Sequence, residues 1–235
     1  MHRHSRHLLG TLATLAITAS LHAQAAPNEQ TRAVADGGIS VAGWAGAVDA
    51  NEAKSGMTIA NAKFASEGKG FHVTTGPAST YWNTKTPAKG DFTVKATFTE
   101  PKFQNLNDHP HPYGIVIGAN GMDGAAGSAL YCAAYGTGTF IFRGFAPAPF
   151  QLGGRRATAH DAVHKAAGVG QPVTQEIAIS VKGDRVECSI NGTVVAGYSK
   201  AEVIGEGKLK STDGFVGLRF GHNTEVMVTG FTISK

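Results

Sequence analysis

The feature that most constrains the fold is a run of alternating apolar and polar residues between Val173 and Tyr198. Three alternating segments make up this run: 177–181, 186–190 and 194–198. A period of two is that of a β-strand with one buried face. A Gly-Asp pair at 183–184 and an Asn-Gly pair at 191–192 separate the segments, and Asn-Gly favours a type I′ hairpin turn. The run therefore predicts a three-stranded antiparallel meander.

The same alternation recurs along the chain, for example between Asp91 and Glu100. Further strands are expected at 57–64, 70–75, 79–83, 113–118, 128–135, 138–145, 214–221 and 225–233. Gly230 interrupts the last alternation and predicts a bulge. Only the segments 159–167 and 199–204 suit short helical turns. Because strands do not alternate with helices, the pattern predicts an all-β sandwich and argues against Rossmann and TIM architectures.

Several of these strand motifs occur in an order known from one family. The motifs are VKGDRVECSINGTVVAGY, GFVGLRFGHN, the closing TGFTIS and the earlier GDFTVKATF. They resemble concanavalin A-like jelly rolls and, more closely, the bacterial 3-keto-disaccharide hydrolase-like family, over Gly43 to Lys235. The resemblance implies a two-sheet antiparallel jelly-roll β-sandwich, a carbohydrate ligand and hydrolase activity. It supplies no short catalytic signature that transfers to individual residues.

The sequence lacks the catalytic carboxylates of the best-known enzymes with this fold. Similarity to family 16 glycosidases would predict E-x-D-x-x-E on one strand, and this spacing is absent. The nearest acid pairs are Asp184 with Glu187 and Glu202 with Glu206. The first spans a predicted turn and the second a predicted surface helix. Glycosidase chemistry of that type is therefore not expected.

The N-terminus has the three regions of a secretory signal peptide. Arg3 and Arg6 precede an uncharged apolar run, which ends before Ala23-Gln24-Ala25, a small-x-small cleavage pattern. The expected organisation is a signal peptide at 1–25, a flexible lead at 26–38 and one jelly-roll domain at 39–235. This predicts a periplasmic or secreted protein that does not insert into a membrane.

The charge balance argues against nucleic acid as a partner. Loss of the signal peptide would remove two of the 21 basic residues and none of the 17 acidic ones. The remaining excess is small, and no basic stripe is present. The oligomeric state stays open.

The two cysteines, Cys132 and Cys188, both lie in apolar strand patterns. An exported protein can bridge them, but a free cysteine is also a common buried residue. The sequence leaves both alternatives open.

Two segments carry paired histidines. In the first, His109 and His111 each precede a proline, which favours an extended, rigid loop. Since alternate residues of an extended chain point to opposite sides, we expect these two rings to diverge rather than share a metal. In the second, His160 and His164 have the spacing of one helix face, and a short polar helix is expected. No cofactor is predicted, and a divalent metal at the histidines is the alternative.

The aromatic residues give the candidate ligand site. Tyr131 and Tyr135 share a strand phase opposite to Cys132, so their rings are expected on the concave sheet. There they would stack on the apolar faces of a sugar. The full set of predicted ligand-binding residues is Tyr131, Tyr135, Arg143, His109, His111, Arg219 and His222.

Three functions are compatible with these features. The first is an exported domain that binds a saccharide or glycoside without strong catalytic machinery. The second is a hydrolase or lyase acting on 3-keto-glycosides, in which a His or Asp base works with a metal or an arginine. The third is a cell-envelope interaction protein with neither sugar nor reaction. Catalytic residues are not predicted.

Overall fold

The computed structural model describes residues 31–124 and 126–235, so the predicted signal peptide lies outside the described residues. The chain forms a jelly-roll β-sandwich, as predicted. Its strands are β1 (Gly38–Ile39), β2 (Trp44–Val48), β3 (Lys63–Glu67), β4 (Gly70–Thr74), β5 (Ser79–Asn83), β6 (Phe92–Glu100), β7 (Tyr113–Asn120), β8 (Ser128–Tyr135), β9 (Thr139–Phe145), β10 (Pro149–Leu152), β11 (Thr158–Ala159), β12 (Val173–Lys182), β13 (Arg185–Ile190), β14 (Thr193–Ser199), β15 (Phe215–Phe220) and β16 (Glu225–Ser234). The helices are α1 (Ala50–Lys54) and α2 (Lys200–Val203), with a 3-10 turn at Ile59–Asn61. Within the described ranges, no helix has the length and apolar character needed to cross a membrane.

The strands form two sheets that pack face to face. The first has the order β1-β3-β4-β16-β6-β12-β13-β14, and the second has the order β10-β9-β8-β7-β15-β5-β2, with β11 also paired to β9. The pairings are antiparallel except for β1 with β3. The core between the sheets is aromatic: Phe64 stacks on Tyr81 at 4.7 Å between ring centroids, and Phe98 on Tyr113 at 5.7 Å.

A disulfide joins the two sheets through this core. It links Cys132 of β8 to Cys188 of β13, and both residues are fully buried. The structure thus decides between the alternatives that the sequence left open. The bridge also fixes the orientation of β8, because a side chain bonded across the core must point inward.

The predicted meander is confirmed as β12, β13 and β14. Asn191 and Gly192 both have positive φ, at 50° and 82°, as a type I′ turn requires. The predicted bulge near Gly230 is also confirmed, since the pairing of β16 with β6 shifts register between Thr229 and Thr232.

Two local predictions were wrong. Segment 159–167 contains no helix, because the His164 ring bonds the Thr174 carbonyl oxygen at 2.8 Å and the segment follows the sheet edge instead. The strand expected at 57–64 is shifted to β3, because Thr58 and Asn61 cap the 3-10 turn that precedes it. Short helix α1 was not predicted.

The segment predicted as a flexible lead at 26–38 is described from Thr31 onward, where it is bonded to the sandwich. The Val34 amide donates to the Asn61 carbonyl oxygen at 3.1 Å, and the Arg32 amide donates to the Asn223 side chain at 3.0 Å. The compact unit of the structure spans Thr31 to Lys235.

Candidate functional site

The candidate site lies on the outward face of the second sheet. On β8, Leu130 and Cys132 point into the core, so Tyr131 and Tyr135 must point outward. On β15, Leu218 and Phe220 are core residues, which places Arg219 between them on the same outward face.

Tyr131 and Arg219 meet across β7, the strand that lies between theirs, where β7 and β8 approach closely at Gly114. Strand β7 separates β8 from β15, and Gly114 of β7 is paired with Arg219 on one side and with Ala133 on the other. A Cβ atom at Gly114 would collide with the Cys132 carbonyl oxygen of β8. The Arg219 guanidinium lies 5.4 Å from the centroid of the Tyr131 ring, within the range of a cation–π contact.

Arg219 is held by an ion pair that sequence reasoning missed. Its two terminal nitrogens donate to the two carboxylate oxygens of Asp49, each at 2.5 Å, and Nη1 also donates to Thr80 Oγ1 at 3.1 Å. Burial by itself lowers the pKa of Arg219, but the Asp49 carboxylate outweighs this effect and raises the pKa above its usual value. The guanidinium is therefore a fixed, permanently charged group with one side against the Tyr131 ring.

A cavity of about 820 Å³ opens beside this pair. Ala47, Thr80, Tyr131 and Arg219 contribute to it from the sheet. Its remaining walls come from α1 and the segments around it, from the β7–β8 loop, and from the chain around β10: Val48, Asp49, Ala50, Asn51, Ala53, Lys54, Met57, Thr58, Met122, Asp123, Gly124, Gly127, Gly144, Phe145, Pro147 and Pro149. This size and this mixture of apolar and polar groups are typical of small-molecule sites.

The β7–β8 loop is anchored by a second, smaller apolar cluster on the outward face. Met122 packs there with Trp82, Val116 and Ala129. Since these residues belong to three different strands and a loop, the cluster fixes the wall of the cavity that Met122 and Asp123 provide.

Tyr135 and Arg143 lie on the same sheet face, but the described residues that line the cavity include neither of them. Arg143 is paired in register with Tyr131 and donates to the Arg155 carbonyl oxygen at 2.5 Å. Burial raises the pKa of Tyr135. These two residues flank the cavity rather than form it.

The three predicted histidines form a separate cluster at the end of the sheet. The ring centroids of His109 and His111 are 4.4 Å apart, and those of His111 and His222 are 3.9 Å apart. The expectation that the first two rings diverge was wrong, because residues 108–109 form a bend and strand alternation does not apply to them. None of the three lines the cavity among the residues described.

Sequence reasoning missed Asp49 because its partner is 170 residues away. No local signal marked it: Asp49 takes the N-cap position of α1, a helix that the sequence did not predict. The Asp49 side chain makes no capping bond and binds Arg219 instead.

Comparison with known proteins gives the fold. Neither a protein-family model nor a curated protein sequence matches the chain, so the family resemblance in the motifs is not confirmed. Among solved structures, the carbohydrate-binding module CBM66 from Bacillus subtilis is 14% identical, with a TM-score of 0.53 over 84% of this chain and 98% of that one. The laminarinase catalytic domain from Thermotoga maritima is 14% identical, with a TM-score of 0.48 over 82% and 91%. The likeness to the first shows the jelly-roll β-sandwich fold.

Proposed function

We propose that this chain is an exported carbohydrate-binding domain that holds a saccharide in the cavity on the outward face of the second sheet. One observation carries the proposal. The Tyr131 ring and the Arg219 guanidinium, fixed by Asp49, line the same cavity of about 820 Å³.

The arrangement suits a sugar for two physical reasons. An aromatic ring stacks on the apolar C–H face of a pyranose, and Tyr131 offers such a ring at the sheet. Sugar hydroxyl groups need donors and acceptors, which the exposed side chains of Asn51, Lys54 and Asp123 supply around the rim. Because both signs of charge are present, a neutral or singly charged sugar suits the cavity better than a polyanion.

Similarity to a solved structure supports saccharide binding. The similar structure that shares the fold is named as a carbohydrate-binding module. Descent from the 3-keto-disaccharide hydrolase-like family is part of the same proposal and rests on the sequence motifs. Export to the periplasm or medium rests on the N-terminal signal pattern, and the buried Cys132–Cys188 bridge agrees with an oxidising compartment.

A glycan array followed by calorimetry tests the proposal. We expect the purified protein to bind one class of saccharide, and we expect Tyr131→Ala to weaken that binding at least tenfold. Tyr135→Ala is the matched control, because Tyr135 lies on the same strand and face but outside the cavity lining. An absence of binding across the array, or equal losses in both variants, would overturn the proposal.

A second candidate is hydrolysis or elimination at a 3-keto-glycoside. It is favoured by Asp123 and Arg219, which line one cavity and could act as base and as partner to a developing oxyanion. Product formation from a 3-keto-glycoside that is abolished in Asp123→Asn would favour it. Binding with no turnover would favour the first candidate.

A further inference from the structure

Three imidazoles converge at one end of the second sheet, away from the cavity. They belong to His109, His111 and His222, and one ring nitrogen from each lies within 4.8 Å of the other two. His109 is exposed and the other two are half-buried. The cluster therefore stands at the surface, where solvent can reach it.

The fold itself brings two of these residues together. Tyr113 at the start of β7 pairs with Phe220 at the end of β15, and the Gly221 amide donates to the Pro112 carbonyl oxygen at 2.7 Å. His111 and His222 lie one residue beyond that last bond on their respective strands. Their ring centroids are consequently only 3.9 Å apart.

Gly221 gives His111 the space that this approach needs. A Cβ atom at position 221 would lie 2.9 Å from the Cβ atom of His111 and 2.9 Å from the Cδ atom of Pro112. A side chain there would push the two segments apart. Gly221 thus allows the rings of His111 and His222 to lie close together.

The third histidine has an orienting partner. His109 Nδ1 lies 2.9 Å from Asp108 Oδ1, within hydrogen-bond distance. A carboxylate bonded to one ring nitrogen is the usual second neighbour of a metal-ligating histidine, because it fixes the ring and leaves the other nitrogen as the ligand.

We propose that His109, His111 and His222 bind a divalent late first-row transition metal ion, of which Zn²⁺ is the one to test first. Neutral imidazole is a ligand that Zn²⁺, Cu²⁺ and Ni²⁺ accept, whereas Mg²⁺ and Ca²⁺ prefer oxygen. Tetrahedral Zn–N bonds of about 2.1 Å place ligand nitrogens about 3.4 Å apart. The candidate nitrogens lie within 4.8 Å of one another, so binding would draw them together by about an ångström.

Three protein ligands leave a fourth position for water or another ligand. The proposal is independent of saccharide binding, because the cluster and the cavity have no lining residue in common among those described.

Calorimetric titration of the full chain with Zn²⁺ at pH 7.5, after treatment with a chelator, tests this site. We expect one ion per chain, and we expect His109→Ala and His222→Ala each to weaken binding at least tenfold while the thermal unfolding temperature of the metal-free protein stays unchanged. Lowering the pH to 5.5 should weaken binding, because protonated imidazole cannot coordinate. Co²⁺ can replace Zn²⁺ in this test, because its binding in a tetrahedral site is visible as an absorption band.

Two control variants separate this site from other histidines. His160→Ala should bind Zn²⁺ as the unmodified protein does, and so should a variant with alanine at His2, His4 and His7. The proposal is overturned if no binding occurs at millimolar Zn²⁺, if His109→Ala binds normally, or if binding disappears when the three N-terminal histidines are replaced.

Discussion

The carboxyl group of Glu100, at the end of β6, should make the stability of the protein depend on pH. Burial raises its pKa from 4.5 to about 7, against the opposing effect of the hydrogen bond that the Gln104 amide donates to it. Its Oε2 is buried and makes no hydrogen bond with any described atom. Between pH 4.5 and pH 7 the folded chain therefore keeps a proton that the unfolded chain has released.

The sign and size of the effect follow from this difference. Below pH 4.5 Glu100 is protonated in both the folded and the unfolded chain, so its burial does not reduce stability. The free energy of unfolding then falls as the pH rises to about 7. Each unit of pKa shift corresponds to about 1.4 kcal/mol, so the shift from 4.5 to about 7 sets a ceiling of about 3.4 kcal/mol. Partial solvent access reduces this to about 2 kcal/mol.

Glu100→Gln removes the charge and keeps an acceptor for the Gln104 amide. We expect urea unfolding to show little difference between the variant and the original protein at pH 4.5, and a gain of about 2 kcal/mol for the variant at pH 8. Glu176→Gln is the control, because Glu176 forms only a surface ion pair with Lys95 and should change stability by less than about 0.5 kcal/mol. A gain for Glu100→Gln that is equal at both pH values would refute the reasoning.

Three further changes test the framework that supports the site. Replacing Cys132 and Cys188 together by alanine opens the loop that the bridge closes over a sequence separation of 56. The free energy of unfolding, measured with urea, should fall by about 4 kcal/mol, and a fall below about 1 kcal/mol would contradict this. Asp49→Ala leaves the buried Arg219 without its carboxylate and should cost about 2 kcal/mol by the same assay, with Asp49→Asn costing less; equal stability would contradict the role of the ion pair. Gly114→Ala should lower the unfolding temperature and weaken saccharide binding, and an unchanged protein would show that β7 and β8 have room for a side chain.

The fold was largely predictable because its signals are local. Strand alternation and the Asn191-Gly192 turn depend on neighbours in sequence, and the meander appears in the structure as expected. A local signal also led to the wrong prediction of a helix around His160 and His164. Their spacing fits a helix face, but His164 bonds to the Thr174 carbonyl oxygen of β12 and no helix forms.

The candidate site was predictable only in part, because its contacts join distant residues. The phase of β8 placed Tyr131 outward, but nothing near Asp49 indicated a bond to Arg219. The convergence of His111 with His222 likewise depends on the register of β7 with β15, which the sequence does not specify.

The most direct test of the account is the saccharide affinity of Tyr131→Ala measured beside that of Tyr135→Ala. The account predicts a loss of tenfold or more for Tyr131→Ala, equivalent to about 1.4 kcal/mol, and a loss of no more than threefold for Tyr135→Ala. Both variants should keep the unfolding temperature of the original protein within a few degrees. Undiminished binding by Tyr131→Ala would contradict the central claim that the cavity beside Arg219 holds the sugar.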